Sequence, residues 1–231
     1  MKKAYLIPFL FFCMGLYGCF AQADSVLISD VKFQNSKFNN PHAGSGFLLS
    51  YGKKVYGITA KHVLSFAKTD SMKTISFGNS LKSWNFTSKK TPKRSVLAGK
   101  LINENLNERI EMPPKGDWLI FETTGNIPEG IVVYSLRDEP LKAGDNVHFL
   151  GYPYNSMQPV NIKGTFIGLT KDNNLKLVVP KGAYGGCSGG PVIDSEGKLV
   201  GIVSMGYFNK KENQMIFESA SLEYFKNVIN H

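Results

Sequence analysis

The stretch Gly185-Gly-Cys-Ser-Gly-Gly190 constrains the chain most, because four of its six residues are glycine. So little side chain supports neither a helix nor a strand interior. The segment must be a tight loop, set between Pro180 and an apolar run that starts at Pro191. Glycine tolerates positive φ and leaves backbone N–H groups open to approach. Ser188 lies in the middle of this loop. Acyl transfer needs such a hydroxyl beside free donors: the oxygen attacks a carbonyl and the N–H groups hold the oxyanion that forms. Ser188 is therefore the candidate nucleophile, and the N–H groups of Gly186 and Ser188 are the candidate oxyanion donors.

A nucleophile of this kind needs a histidine and a carboxylate. Gly186-Cys-Ser-Gly-Gly190 satisfies the G-x-S-x-G pattern of α/β-hydrolases, in which acid and histidine follow the serine. Downstream lie one aspartate, Asp194, four glutamates and one histidine, His231, in too few residues for the helices that fold requires. The partners must lie upstream. Thr59-Ala-Lys-His62 follows an alternating run, Lys54 to Ile58, and Asp117 heads the apolar run Trp118 to Phe121. His42, His148 and His231 sit in a turn, in a strand and at the chain end, where a lone histidine is expected to be structural.

The pieces Gly44-Ser-Gly-Phe47, Thr59-Ala-Lys-His62, Asp117-Trp-Leu-Ile120, Gly186-Cys-Ser-Gly-Gly-Pro191 and Leu199-Val-Gly-Ile-Val-Ser-Met-Gly206 occur in that order. In this order and spacing the chain resembles the trypsin-like, chymotrypsin-fold serine peptidases. The resemblance implies two six-stranded antiparallel β-barrels with the site in the cleft between them. It also implies a triad of His62 as base, Asp117 as its orienting partner and Ser188 as nucleophile. The function expected is hydrolysis of a protein or peptide substrate through an acyl-enzyme. The alternatives are a non-catalytic peptide- or surface-binding relative, and an esterase using the same triad.

In that family the floor of the primary specificity pocket precedes the serine, here Lys181, Gly182, Ala183 and Tyr184. No acid lies there, so recognition of Arg or Lys is disfavoured and a small or apolar preference is expected. Ser204, Met205 and Gly206 resemble the edge strand that pairs with the substrate backbone. Cys187 stands where many members carry an aspartate that binds a freed N-terminus, so no such zymogen switch is expected. Cys187 as the nucleophile is a rival reading, one position out of register.

Lys2 and Lys3, the apolar run Ala4 to Gly18 and Ala21-Gln-Ala23 read as a signal peptide over residues 1–23. The expectation is a secreted or periplasmic protein. Leu16-Tyr-Gly-Cys19 offers lipidation at Cys19 as the alternative, and membrane association is expected only by that route. Beyond this leader Cys187 is the only cysteine, so no internal disulfide forms and stability must come from burial. His and Cys never occur at ligand spacing, so no metal and no cofactor is expected. The net charge is +9, with Lys2 and Lys3 supplying two of it. Lys82, Lys89, Lys90, Lys93 and Arg94 gather in a Ser/Thr-rich region without aromatic interleaving, which reads as a solvated loop rather than a nucleic-acid surface. A monomer is the default.

Short apolar segments with glycine-rich turns indicate an all-β chain. Strands are predicted over 26–33, 44–50, 54–59, 73–77, 81–86, 95–102 and 117–122, and residues 103–115 read as a loop. The passage 123–130 reads as a linker, dividing a first barrel, 24–128, from a second barrel with a terminal helix, 129–231. The second half shows strands over 131–135, 145–150, 160–169, 175–179, 191–193, 199–205 and 215–220. Ser221 is the expected N-cap of a helix over 222–230.

Overall fold

The computed structural model describes residues 23–112 and 116–230. Residues 1–22, 113–115 and 231 lie outside the described residues. The first barrel contains β1 (Leu27–Phe33), β2 (Ser45–Tyr51), β3 (Lys54–Thr59), β5 (Leu81–Thr87), β6 (Ser95–Leu101) and β8 (Leu119–Thr124). Its order is β1-β5-β6-β8-β3-β2, and an antiparallel pairing of β1 with β2 closes the ring. Side chains alternate along β1 between buried and partly exposed, as a half-buried strand requires. β2 and β3 meet in a hairpin whose register runs from Phe47 opposite Ile58 to Tyr51 opposite Lys54.

The second barrel is closed in the order β10-β11-β12-β15-β14-β13. Its strands are β10 (Asn146–Gly151), β11 (Val160–Leu169), β12 (Leu175–Val179), β13 (Pro191–Asp194), β14 (Leu199–Asn209) and β15 (Gln214–Ser221). Two six-stranded antiparallel barrels thus form the fold that the resemblance implied, within the all-β class that the strand pattern indicated. Closure removes exposed sheet edges without any disulfide. Cys187, the only cysteine among the described residues, is free and buried.

Three elements depart from the sequence reading. Residues 103–115 were expected to be loop, but β7 (Asn105–Arg109) is a strand paired with the two-residue β4 (Thr74–Ile75). β7 is exposed along nearly its whole length and has no apolar alternation to reveal it. The strand expected over 131–135 shortens to β9 (Val133–Ser135), which runs parallel to β2 on the first sheet. Ser221 does occupy the N-cap of α1 (Leu222–Ile229), but its side chain makes no capping hydrogen bond.

α1 returns to the first barrel. Phe225 is fully buried and its ring meets Tyr51, Tyr56 and Trp118 at centroid distances of 5.6, 6.0 and 5.6 Å. The Trp118 indole N–H donates to the Ser221 carbonyl at 3.0 Å. Asp117 directly precedes Trp118, so the helix braces the carboxylate loop. Phe225→Ala leaves a large cavity there and is expected to lower stability by about 3 to 5 kcal/mol. Denaturant unfolding checks this, and a loss within experimental error contradicts it.

Candidate active site

His62 lies in a 3-10 turn, Lys61–Ser65, that follows β3, and both Lys61 and His62 are buried in it. Asp117 is 4 % exposed at the approach to β8. A carboxylate so buried must be matched by donors. One oxygen accepts the His62 backbone N–H at 2.8 Å, and the other contacts His62 Nδ1 at 2.6 Å. The second oxygen also accepts the Ser204 hydroxyl, which comes from β14 in the other barrel. Accepting from Nδ1–H fixes the tautomer whose Nε2 lone pair is free.

The loop carrying Ser188 is anchored peptide by peptide. Gly185 O accepts from Tyr154 N at 3.0 Å, Cys187 N donates to Tyr184 O at 3.0 Å, and Gly190 N donates to Cys187 O at 2.9 Å. Gly186 has φ +99°, and a Cβ there would lie 2.6 Å from Tyr152 O. Gly189 has φ +83°, and a Cβ there would lie 2.3 Å from Thr59 Oγ1. Glycine is required at both positions by conformation and by space. Among the described residues, the N–H groups of Gly186 and Ser188 donate to no protein acceptor.

One open groove is lined by Asn40, Pro41, His42, His62, Phe66, Met112, Tyr154, Gly185, Gly186, Ser188, Ser204, Met205 and Gly206. It gathers His62, Ser188, Gly186 and the Ser204–Gly206 edge, with Asp117 behind His62. It does not include Lys181, Gly182, Ala183 or Tyr184. Lys181 Nζ sits 4.9 Å from the Phe208 ring centroid. Tyr184 folds into an aromatic cluster, edge-on to Phe149 at 5.1 Å and to Phe217 at 5.5 Å. Its hydroxyl donates to Pro180 O at 2.8 Å.

Cys187 points the other way from Ser188. Its side chain is 0 % exposed in the core of the second barrel, and burial pushes the thiol up to about 12. Asp194 is held in a turn by Arg137, with guanidinium to carboxylate at 3.0 Å, and does not line the groove. Asp24 is anchored to Gly130 O and to Arg94, not to the Ser188 loop. His148 bonds Asn161 at 2.8 Å on the barrel surface. Among the described residues no cluster of His, Cys, Asp and Glu is arranged to hold a metal ion.

His42, expected to be structural, lines the groove beside Gly186, and its ring meets Tyr154 edge-on at 4.9 Å. Its Nε2 is buried without a hydrogen-bond partner among the described residues. Burial first, and the Lys89 charge second, hold its pKa down to about 4. The unfolded value is about 6.5. Between these values the unfolded chain binds the extra proton, so stability rises with pH and is lost as pH falls from 6.5 toward 4. Wild type is therefore expected to lose more stability than His42→Gln on passing from pH 7 to pH 4.5. Denaturant midpoints at the two pH values check this, and equal losses contradict it.

The trypsin-like peptidase domain family model matches residues 44–202, which hold His62, Asp117, Ser188 and Gly186. A crystal structure of the serine endoprotease from Yersinia pestis is similar in fold, with a TM-score of 0.57 at 17 % identity. That similarity covers 90 % of this chain but only 64 % of the Yersinia chain. No curated protein matches the sequence. With well over half of its length matched, and with both barrels in place, the chain belongs to the trypsin-like peptidase domain family.

Proposed function

We propose that the protein is a serine endopeptidase working through His62, Asp117 and Ser188. The observation that carries this reading is His62, doubly anchored to Asp117 behind it and sharing one groove with Ser188 and two unengaged N–H donors. His62 Nε2 takes the Ser188 Oγ proton as the oxygen attacks the substrate carbonyl. Asp117 stabilises the imidazolium without itself being protonated. The oxyanion enters between the Gly186 and Ser188 N–H groups. His62 then protonates the leaving amine, and water releases the acyl group by the reverse steps. The burial and neutral thiol of Cys187 weigh against it as the nucleophile.

The groove also favours a class of substrate. An extended peptide beside Ser204–Gly206, with its carbonyl at Ser188, sends its side chain between β14 and the 181–185 segment. Aromatic rings border that space. Tyr184 packs on Phe149 and Phe217, and a Cβ on Gly206 would lie 2.7 Å from the Phe217 ring. A small side chain fits before the scissile bond. Further out, Phe66, Met112, Tyr154 and Met205 present exposed apolar surface, and no Asp or Glu lines the groove. The substrate is thus an apolar, extended protein segment with a small residue at the cleaved position. We place the protein outside the cytoplasm, secreted, periplasmic or lipid-anchored through Cys19, on the strength of residues 1–23.

A fluorophosphonate probe and a peptide library test this together. Wild type is expected to be labelled and Ser188→Ala is not. Cleavage is expected after Ala, Gly or Ser rather than after Arg, Lys or Phe. A folded wild type that takes no label overturns the enzymatic reading in favour of a binding role. Labelling with ester turnover but no peptide cleavage favours the esterase.

A further inference from the structure

The oxyanion loop touches the first barrel through one residue that the triad does not use. Ser45 opens β2 and is 0 % exposed. Its hydroxyl donates to Gly186 O at 2.8 Å and accepts the Tyr152 N–H at 2.8 Å. Its own N–H donates to Ser188 O at 2.8 Å, and its carbonyl accepts the Thr59 hydroxyl at 2.7 Å. One buried serine therefore grips the nucleophile loop on both sides of Cys187.

The geometry bears on the donors. A peptide unit is planar, so fixing its carbonyl oxygen fixes the direction of the N–H on the other side. Tyr154 N fixes Gly185 O and thereby the Gly186 N–H. Ser45 Oγ fixes Gly186 O and thereby the Cys187 N–H, which meets Tyr184 O. Gly186, with no side chain and φ +99°, has little intrinsic preference that would hold it there. Its conformation depends on these bonds. Without the hydroxyl, two buried groups, Gly186 O and Tyr152 N–H, lose their partner, and the loop gains both freedom and a reason to turn.

We infer that Ser45 is a positioning residue for the oxyanion hole, holding Gly186 so that its N–H faces the groove before substrate arrives. The inference rests on the serine-peptidase reading above. Oxyanion stabilisation acts in the transition state, so its loss appears in kcat. Removing one donor outright costs about a hundredfold to a thousandfold. Misaligning one by releasing its anchor is expected to cost less, about tenfold to a hundredfold in this case.

The test compares wild type, Ser45→Ala and Ser45→Cys, which keeps the shape but offers only a weak donor. Active molecules are counted by fluorophosphonate titration, so partial misfolding does not enter the rates. Ser45→Ala is expected to lower kcat per active molecule by about tenfold or more with KM within about twofold. A peptide trifluoromethyl ketone, whose adduct carries the oxyanion, is expected to bind more weakly by the same factor. Ser45→Cys falls between the two and keeps the measurement available if the alanine variant does not fold. Unchanged kcat and ketone affinity in whichever variant folds overturns the inference, as does a rise in KM alone. A wild type that takes no probe overturns the serine-peptidase reading itself, and that outcome is separable because it precedes any comparison of variants.

Discussion

The buried carboxylate of Asp117 is the constraint on which the site depends. An ionised group at 4 % exposure is tolerated only if its oxygens are met by donors. Three groups meet them: the His62 N–H, His62 Nδ1 and the Ser204 hydroxyl. They come from the turn after β3 and from β14, so satisfying one charge brings both barrels to the same point. The arrangement that makes the carboxylate affordable is the one that orients the imidazole.

Around that point the fold supplies rigidity from remote parts of the chain. β14 bends where its register shifts between Ile202 and Met205, and so delivers Ser204 to Asp117 and the Met205–Gly206 edge to the groove. Val203 exchanges backbone hydrogen bonds with Gly189 and Gly190, tying the same strand to the loop that carries Ser188. Lys61, beside His62, is 1 % exposed and reaches Glu108 on β7 at 2.6 Å and the Tyr224 hydroxyl on α1 at 3.4 Å. A buried ammonium left alone would be strongly destabilising, so this set acts as a fastening between the histidine turn, β7 and the terminal helix.

Much of the fold was legible because it rests on local pattern. Alternation marks β1 and β3, and glycine marks the turns, so individual strands follow from short-range signals, whereas their closure into two barrels followed from the family resemblance. Motif order singles out His62, Asp117 and Ser188, and the structure puts His62 against Asp117 and in one groove with Ser188. Other features were not, because they depend on pairs distant in sequence. Ser45 reaches Gly186 across 141 positions and Ser204 reaches Asp117 across 87, and neither leaves a periodic trace. β7 carries polar, exposed residues, so only its pairing with β4 identifies it. Lys181 to Tyr184 were placed by position relative to Ser188, but aromatic packing turns Tyr184 into the barrel. His42 looked like a turn histidine, and only the closure of the cleft brings it beside Gly186.

The most direct measurement is the kinetics of Asp117→Asn. An amide keeps the shape but cannot accept from Nδ1–H while also receiving the His62 backbone N–H and the Ser204 hydroxyl, so it favours the wrong tautomer and leaves the imidazolium unsupported. In Asp117→Asn, kcat for peptide cleavage is expected to fall by about ten-thousandfold while the protein stays folded. A folded Asp117→Asn variant that retains activity within about tenfold of wild type would show that the carboxylate does not orient His62 for chemistry.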